Sequence, residues 1–498
     1  MRCTTTGRQC HYRVVSESPS RQIASPSNAG RRERRAFEFY FHQAGPALSG
    51  NLDLDFWRGS VLQICRLEPS VWDAIISLSA LYERPPIHET SSFRLINGPA
   101  AVENPFHQEA LVWYSRSLAA LQQRISQGVA DLAVSLISCI LFITIELLQG
   151  NRKAALALYS QGMQLLASSM DTVKGPIGHR ASVDRGFLTT VVKPIFRRLG
   201  TWVLINSDTV DHHGSFDLDV ASVQSNSIDE ARNSLCGIVA EMKTLNIDVK
   251  SYLRQRAEFR IREISVLEWR QQRLQSRLQQ WLHFFMCLES IRNIAPRQVA
   301  ASDGATALLL MTYNSVLIET ETMLKPDQAA YDDYEDEFRQ ILDYASTAIT
   351  STQNSDGKQP PFMFEMGVFL PLFITALKCR FPQLRRRALQ FLWEAPPAQG
   401  MFLCRPAAHV VAVLVALEED PTTVPLEASD VQDLLDRPGH IPASEDRVWE
   451  FRVSSDVNGA GGPQTWLHYI LHRADDDGRV QPIEKSVLLP GIDRMTTD

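Results

Sequence analysis

Cysteine is scarce in this chain, and so are long uninterrupted apolar runs. Eight cysteines are scattered over 498 residues, unlike the disulfide framework of a small secreted protein. The first residues have no apolar segment of the kind that a secretory signal contains, so we expect a soluble protein of a reducing, intracellular compartment. The two longest apolar runs, 132–148 and 361–377, contain Glu146, Glu365 and Pro371, and they predict buried helices rather than membrane spans.

Glycine and proline are at ordinary levels, and charge of neither sign dominates. With 25 glycines and 26 prolines the chain is neither collagen-like nor of low complexity. Its net charge of −7 argues against a protein that coats nucleic acid with its whole surface, because phosphate neutralisation needs many Lys and Arg. Hydrophobic residues make up 44% of the chain, and the length allows about two to four folded units.

The N-terminal segment has a net positive charge, whereas the rest of the chain is net negative. Residues 1–35 hold eight Arg against two Glu, so this segment carries about +6 and the remainder about −13. Residues 1–30 lack apolar periodicity, which predicts a disordered basic arm of the kind that often contacts nucleic acid. A denser basic patch follows, and it fits either a nuclear import signal or a solvated helix entrance: Arg31, Arg32, Arg34 and Arg35.

From residue 31 onward the apolar residues recur with a helical period. Residues 131–148 and 152–168 predict an antiparallel helical hairpin like those of tetratricopeptide proteins, in which Gly162 permits close helix contact. No 34-residue self-similarity accompanies it, so a true repeat array is not expected. The later helices are predicted over 187–206, 229–245, 249–257, 262–293, 304–324, 331–353, 361–380, 383–393 and 405–418.

Strand-like alternation occurs only near the C-terminus. Residues 448–453 and 465–471 alternate on either side of a glycine-rich turn, which predicts a small β-hairpin over about 447–472. We therefore expect an all-α protein: a multi-helix regulatory domain of two lobes over 31–420, followed by a polar tail, 421–498, that contains the hairpin. A ligand pocket between the lobes is left open, without named residues.

Residue patterns for catalysis are missing. The chain contains no dinucleotide-binding glycine motif, Walker A sequence, H-E-x-x-H or G-x-S-x-G, so no enzyme is expected. The acidic run 332–337 favours a solvated helix start, with cation binding or contact with transcription machinery as alternatives. The apolar stripe of 262–293 favours core packing over a dimer seam. One group of potential metal ligands falls in a predicted surface loop and favours a solvated loop: Asp211, His212, His213, Asp217 and Asp219.

Cys3 and Cys10 have a more specific spacing, with six residues between them and a basic linker after them. Thiolate pairs in a reducing compartment usually bind a metal when further cysteines complete the ligand shell, and two alone do not suffice.

These residues and several later segments resemble fungal binuclear zinc cluster (Zn2Cys6) transcription factors. Cys3-x6-Cys10, with Thr6-Gly7-Arg8 inside, is similar to the last two cysteines of the cluster motif. Over about 1–475, further segments resemble the fungal-specific transcription factor domain in the right order: 33–40, 48–50, 56–57, 67–69, 80–83, 146–151 and 382–390.

The resemblance implies a nuclear regulator of RNA polymerase II transcription whose helical region receives partners. It also implies zinc at Cys3 and Cys10, but only if the missing cluster cysteines exist upstream, since four of the six would precede Met1. For the chain taken alone, residues 1–30 are interpreted as a remnant of the zinc cluster and a flexible basic linker. DNA is then a direct partner only with an intact cluster. Transcription machinery or co-regulators are the other implied partners, a homodimer stays open, and no membrane partner is expected. The alternative is a helical co-regulator or scaffold without a DNA-binding head, which binds proteins only.

Overall fold

Helices form most of the described chain, and this confirms the all-α class. The computed structural model describes residues 30–50, 52–86, 105–171, 186–206, 227–254, 264–294, 299–325, 327–419, 434–436, 438–456, 464–474 and 480–489. The basic arm with Cys3 and Cys10, and the loop that carries His212 and His213, lie outside the described residues. The division of the chain at residues 30 and 420 stays a prediction.

The helices follow one another with short π and 3-10 segments between some of them. The α-helices are α1 (Arg31–Phe39), α2 (Gly45–Ser49), α3 (Val61–Ile64), α4 (Pro69–Glu83), α5 (Pro105–Ser126), α6 (Leu132–Leu148), α7 (Arg152–Asp171), α8 (Lys193–Ile205), α9 (Ile228–Arg254), α10 (Ile264–Ile294), α11 (Val299–Thr322), α12 (Glu335–Thr350), α13 (Phe369–Lys378), α14 (Pro382–Glu394) and α15 (Cys404–Glu419). Segments Tyr40–Ala44, Asp55–Ser60 and Leu188–Val192 are π-helical, and Gln328–Tyr334 is 3-10. The strands are β1 (Ala398–Gln399), β2 (Phe402–Leu403), β3 (Val448–Asp456), β4 (Gln464–Ala474) and β5 (Val480–Leu489).

The N-terminal helices pack against a segment that lies some 300 residues later. The hydroxyl of Tyr82 donates a hydrogen bond of 2.8 Å to the carbonyl of Phe362, and the backbone N–H of Phe364 donates to the carbonyl of Leu48. The ring of Phe364 also contacts Trp57 edge-on, with centroids 5.2 Å apart. Residues 362–364 therefore close the core that α1–α4 begin.

The helical hairpin expected over 131–168 is present, and α6 is its buried member. Asp131 caps α6 by accepting from the backbone N–H of Ala133 at 2.8 Å. The one carboxylate in this apolar helix, Glu146, accepts hydrogen bonds from Tyr114 at 2.8 Å and from Asn151 at 2.7 Å. The single charged side chain of this apolar helix is therefore a buried group whose carboxylate oxygens both accept hydrogen bonds.

At Gly162, α7 lies close to both α6 and α8. A Cβ at this position would lie 2.3 Å from the ring of Phe196 on α8 and 3.1 Å from the sulfur of Cys139 on α6. The absence of a side chain therefore sets the spacing of three helices, as the sequence predicts.

The apolar stripe of the longest helix, α10, packs inside the domain, as expected. Leu274, Leu278, Trp281 and Phe285 are buried against α9 and α11, and the indole N–H of Trp281 donates to the carbonyl of Ala231 at 2.9 Å. These residues belong to a second core cluster. The main cluster is built around α1–α8 and α12–α15, and α11 contributes one face to each.

Three predicted boundaries are wrong. The helices expected over 229–245 and 249–257 are one helix, α9, because no breaking residue separates them. The helix expected over 331–353 begins only at Glu335, where three acidic residues fill the first turn after a 3-10 segment. The buried helix expected over 361–380 starts at Phe369.

The apolar run 361–368 is buried as irregular backbone, not as helix. Adjacent prolines open it, and Gly367 adopts a left-handed φ of +56°. Its backbone groups bond instead to a second segment: the N–H of Met363 donates to the carbonyl of Ala398, and the N–H of Gly400 donates to that of Met363. A short strand pair, β1–β2, which the sequence pattern did not predict, accompanies this contact.

The C-terminal hairpin is confirmed and has a third strand. β3, β4 and β5 form an antiparallel sheet in that order, and β5 was not expected because its residues are mostly exposed and show weak alternation. The sheet packs on α13 and α15 through a third core cluster that includes Val413, Leu467 and Tyr469.

A fully buried ion network fixes the sheet to the helices. The carboxylate of Glu418 on α15 accepts from Arg385 at 2.6 Å, from Arg447 at 3.1 Å and from the backbone N–H of Val448 at 2.8 Å. Burial lowers the pKa of Arg447 to about 10, although Glu418 opposes that shift. The carboxylate of Glu418 therefore accepts hydrogen bonds from two guanidinium groups and from the first residue of β3.

We expect Gly162→Ala to lower the free energy of unfolding by about 1–3 kcal/mol, because Phe196 must move to admit the methyl group. Gly237→Ala on α9 is the control: nothing lies within 4 Å of its added Cβ, and higher helix propensity is expected to raise stability by about 1 kcal/mol. Urea denaturation measures both. Equal effects at the two sites would contradict the packing described for Gly162.

We expect Glu418→Gln to cost about 3–5 kcal/mol, because it leaves Arg385 and Arg447 buried without an anion. Glu484→Gln in β5 removes an exposed partner of Arg452 and is expected to cost less than about 1 kcal/mol. Chemical denaturation of both variants tests this, and similar losses would show that the buried network does not anchor the sheet.

Candidate functional site

Four charged side chains from distant parts of the chain meet inside the protein. We call them the buried ion cluster: Asp53, Arg198, Arg232 and Glu365. Asp53 follows α2, Arg198 lies on α8, Arg232 lies on α9, and Glu365 belongs to the irregular segment before α13. Each of the four residues is less than a tenth exposed. The cluster therefore joins four segments at one point.

Asp53 lies at the centre of this cluster. Its Oδ1 accepts from Arg198 at 2.7 Å and from Arg232 at 2.8 Å. Arg232 also donates to Glu365 at 3.2 Å and to the more exposed Asp229 at 3.1 Å, while Arg198 donates to the amide oxygen of Asn233. Such paired geometry is required of buried charges, since an unpaired one is very costly.

The two carboxyl groups of the cluster differ in their proton affinity. The two guanidinium groups hold the pKa of Asp53 below its ordinary value, despite burial that acts to raise it. Burial and the neighbouring charge of Asp53 raise the pKa of Glu365, against the opposing effect of the same two Arg. The Oδ2 of Asp53 is buried and has no hydrogen-bond partner.

A cavity of about 40 Å³ adjoins the cluster, at the junction of the main and second core clusters. Its lining includes Arg198, Arg232, Cys236 and Glu365. This is where a pocket between lobes was left open from the sequence. The volume suits buried water and lies far below the roughly 300 Å³ at which small-molecule pockets begin. The buried ion cluster therefore holds four segments of the chain together and does not form a ligand pocket.

A larger groove of about 680 Å³ lies between α12, the start of α14 and residues 435, 436, 438 and 439. Three arginines and two carboxylates line it: Arg339, Arg386, Arg387, Glu335 and Asp436. Arg339 is paired with Glu335 at 2.6 Å, and Arg386 is paired with Glu419 at 2.5 Å.

The predicted basic patch lies on the first turns of α1. All four arginines are exposed, but they are used differently. Arg32 pairs with Glu109 at 3.6 Å and Arg35 with Glu83 at 2.5 Å, which ties α1 to α5 and α4. Arg31 and Arg34 make no ion pair with the described residues. They lie at the positive end of the helix dipole, where cations are disfavoured, so this end of α1 suits an anionic partner.

Sequence reasoning missed all four residues of the buried ion cluster. One signal was available for Glu365, which is the only charge in an otherwise apolar run. A second was available for Asp53, which stands between two of the segments that carry the family resemblance, 48–50 and 56–57. Neither signal identifies the arginines, because their partners lie more than 100 residues away.

No helix among the described residues is long and apolar enough to cross a membrane. The same residues contain no group of three or more His, Cys, Asp or Glu side chains that is able to hold a metal ion.

We expect Asp53→Asn to lower the free energy of unfolding by about 3–5 kcal/mol, because two buried guanidinium groups lose their shared anion. Glu365→Gln should cost about 1 kcal/mol or less, since its amide oxygen still accepts from Arg232 and Asp53 still pairs with both guanidinium groups. Denaturant titration of both compares them, and the reverse ranking would contradict the assigned roles.

The raised pKa of Glu365 predicts that its contribution to the free energy of unfolding depends on pH. Because the pKa of Glu365 is raised on folding, its contribution to stability is present at low pH and is lost as the pH rises through that elevated value. We therefore expect the stability difference between the natural protein and Glu365→Gln to shrink as the pH rises above about 4.5. A difference that is constant with pH would show that folding does not change the pKa of Glu365.

Comparison with known proteins identifies the family. The family model described as "Fungal specific transcription factor domain" matches residues 35–395, which begin in α1 and end directly after α14. No curated protein and no solved structure matches significantly. The matched region holds all four residues of the buried ion cluster and almost the whole main core. Since the match covers well over half of the chain, the protein belongs to the fungal-specific transcription factor domain family and is a transcription regulator of the fungal type.

Proposed function

We propose that the chain acts in the nucleus as a regulator of RNA polymerase II transcription, with the helical region as its regulatory and partner-binding part. The observation that carries this proposal is the position of the family domain, which begins within the basic patch of α1. Arg31 and Arg34 are exposed there and have no ion-pair partner among the described residues, as recognition by an import receptor or by phosphate requires.

Direct DNA reading is a separate part of the proposal. It requires zinc at Cys3 and Cys10 together with further cysteines of a complete cluster, and without them no zinc cofactor is needed. The alternative function is that of a helical co-regulator or scaffold that binds only proteins.

Removal of the unpaired charge tests nuclear action. We expect the double variant Arg31→Ala/Arg34→Ala to lower the nuclear fraction of a fluorescently tagged full chain several-fold, without loss of stability because both side chains are exposed. The control, Arg66→Ala/Arg405→Ala, removes two exposed charges elsewhere on the surface. Equal distribution of the two variants would contradict a role for the patch in import.

A second experiment separates the two functions. The full chain is tethered to a reporter promoter through a foreign DNA-binding domain, and the purified chain is assayed for zinc and for salt-dependent binding to duplex DNA. The zinc-cluster regulator is supported if reporter expression changes and the chain binds zinc and DNA. Cys3→Ser/Cys10→Ser should then abolish both kinds of binding. Reporter change without zinc or DNA binding supports the co-regulator. No reporter change contradicts both.

A further inference from the structure

The groove between α12 and α14 has the dimensions of a site for a small molecule. Its volume of about 680 Å³ falls within the range of roughly 300–1,000 Å³ that is typical of ligand pockets. Apolar side chains contribute to two of its walls: Phe381, Pro382 and Leu384 around the start of α14, and Leu435 and Pro438 on the other side. The apolar body of a ligand therefore has side chains to contact on both of these walls.

Arg386 fixes the wall formed by residues 435, 436, 438 and 439, which we call the outer wall. Its Nε donates to the carbonyl of Leu434 at 3.0 Å, and a Cβ added to Gly439 would overlap its guanidinium group. Its two Nη groups donate to the carboxylate of Glu419 at 2.9 and 2.5 Å. Arg386 therefore holds the groove open in one shape and is already fully engaged with protein groups.

Two charged groups of the lining are left over once the ion pairs are assigned. The pairs described above engage Arg339, Arg386 and Glu335. Arg387 on α14 and Asp436 on the outer wall are both exposed, and neither makes an ion pair with a described residue. One cation and one anion, on two different walls, are therefore available to a ligand.

Arg387 is oriented by its neighbours on the same helix. Its Nη1 donates to the amide oxygen of Gln390 at 2.8 Å, and its guanidinium lies over the ring of Phe391, 4.2 Å from the centroid. These contacts leave the remaining N–H groups of Arg387 without an acceptor among the described residues. A carboxylate is the anion that such a planar group binds best, because it accepts two parallel hydrogen bonds.

A ligand that matches this lining has a carboxylate for Arg387, a cationic group for Asp436 and an apolar body. Amino acids with apolar side chains and short apolar peptides have all three. We propose that the groove binds a small zwitterion of this class, with its carboxylate on Arg387, its ammonium group on Asp436 and its apolar side chain against Leu384 and Leu435. This proposal goes beyond the proposed function and does not rest on it, because it concerns binding by the chain alone.

Related probes test the class of ligand. L-Tryptophan and glycyl-L-tryptophan carry both charges at two spacings, N-acetyl-L-tryptophan lacks the cation, and tryptamine lacks the carboxylate. In isothermal titration calorimetry of the full chain, we expect at least one of the two zwitterions to bind with a Kd below about 1 mM. Each single-charge probe should bind about fivefold more weakly, as expected for the loss of one exposed ion pair. No heat from either zwitterion at about 10 mM, or equal affinity for a single-charge probe, would overturn the proposal.

Matched variants test the site with the same probes. Arg387→Gln should weaken the zwitterion and N-acetyl-L-tryptophan about fivefold and leave tryptamine unchanged, whereas Asp436→Asn should weaken the zwitterion and tryptamine only. The control, Arg405→Gln, removes an exposed arginine of α15 that does not line the groove, and it should change none of the affinities. Circular dichroism checks that each variant folds. Equal effects of Arg387→Gln and Arg405→Gln, or a lining variant that affects all probes alike, would overturn the assignment of the two charges.

Discussion

Burial of two guanidinium groups beside one carboxylate is the constraint on which the helical core depends. Arg198 and Arg232 are taken out of water where α8 and α9 approach the N-terminal segment, and Asp53 compensates both. Buried charges of this kind are weak sources of net stability but severe sources of loss when one partner is removed. The cluster therefore acts mainly on specificity: α8, α9, residue 53 and residue 365 fit together in one arrangement only.

A second buried carboxylate that pairs with two buried arginines lies near the C-terminal end of the described chain. Glu418 pairs with both Arg385 and Arg447, just as Asp53 pairs with Arg198 and Arg232. Glu418 lies beyond the region that the family model matches. Arg385 belongs to the matched part, whereas Glu418 and Arg447 do not. The C-terminal sheet is thereby fixed to the family domain through a residue of that domain, and it forms part of the same folded body.

The sequence predicts features that depend on neighbouring residues well, and it does not predict contacts between distant residues. The caps and periods of α6, α7 and α10 are local, and Gly162 stands out among large neighbours, so these features were correctly predicted. The segment 361–368 was predicted as helix because apolar burial was taken for helical period, although its backbone bonds to residues 398–400. The candidate site depends on pairs separated by 133 to 179 residues, and no local signal encodes such a separation.

The contact between Tyr82 and Phe362 also has a consequence during synthesis. The two residues are 280 positions apart, and the partner segment supplies Phe364 to the ring of Trp57 as well. At about 5–20 residues per second, roughly 15 to 60 s pass between the emergence of α4 and that of the segment that covers it. During that interval the apolar surfaces of α1–α4 lack their final neighbours on the ribosome, which makes the nascent chain a natural client for chaperones that shield aromatic surface.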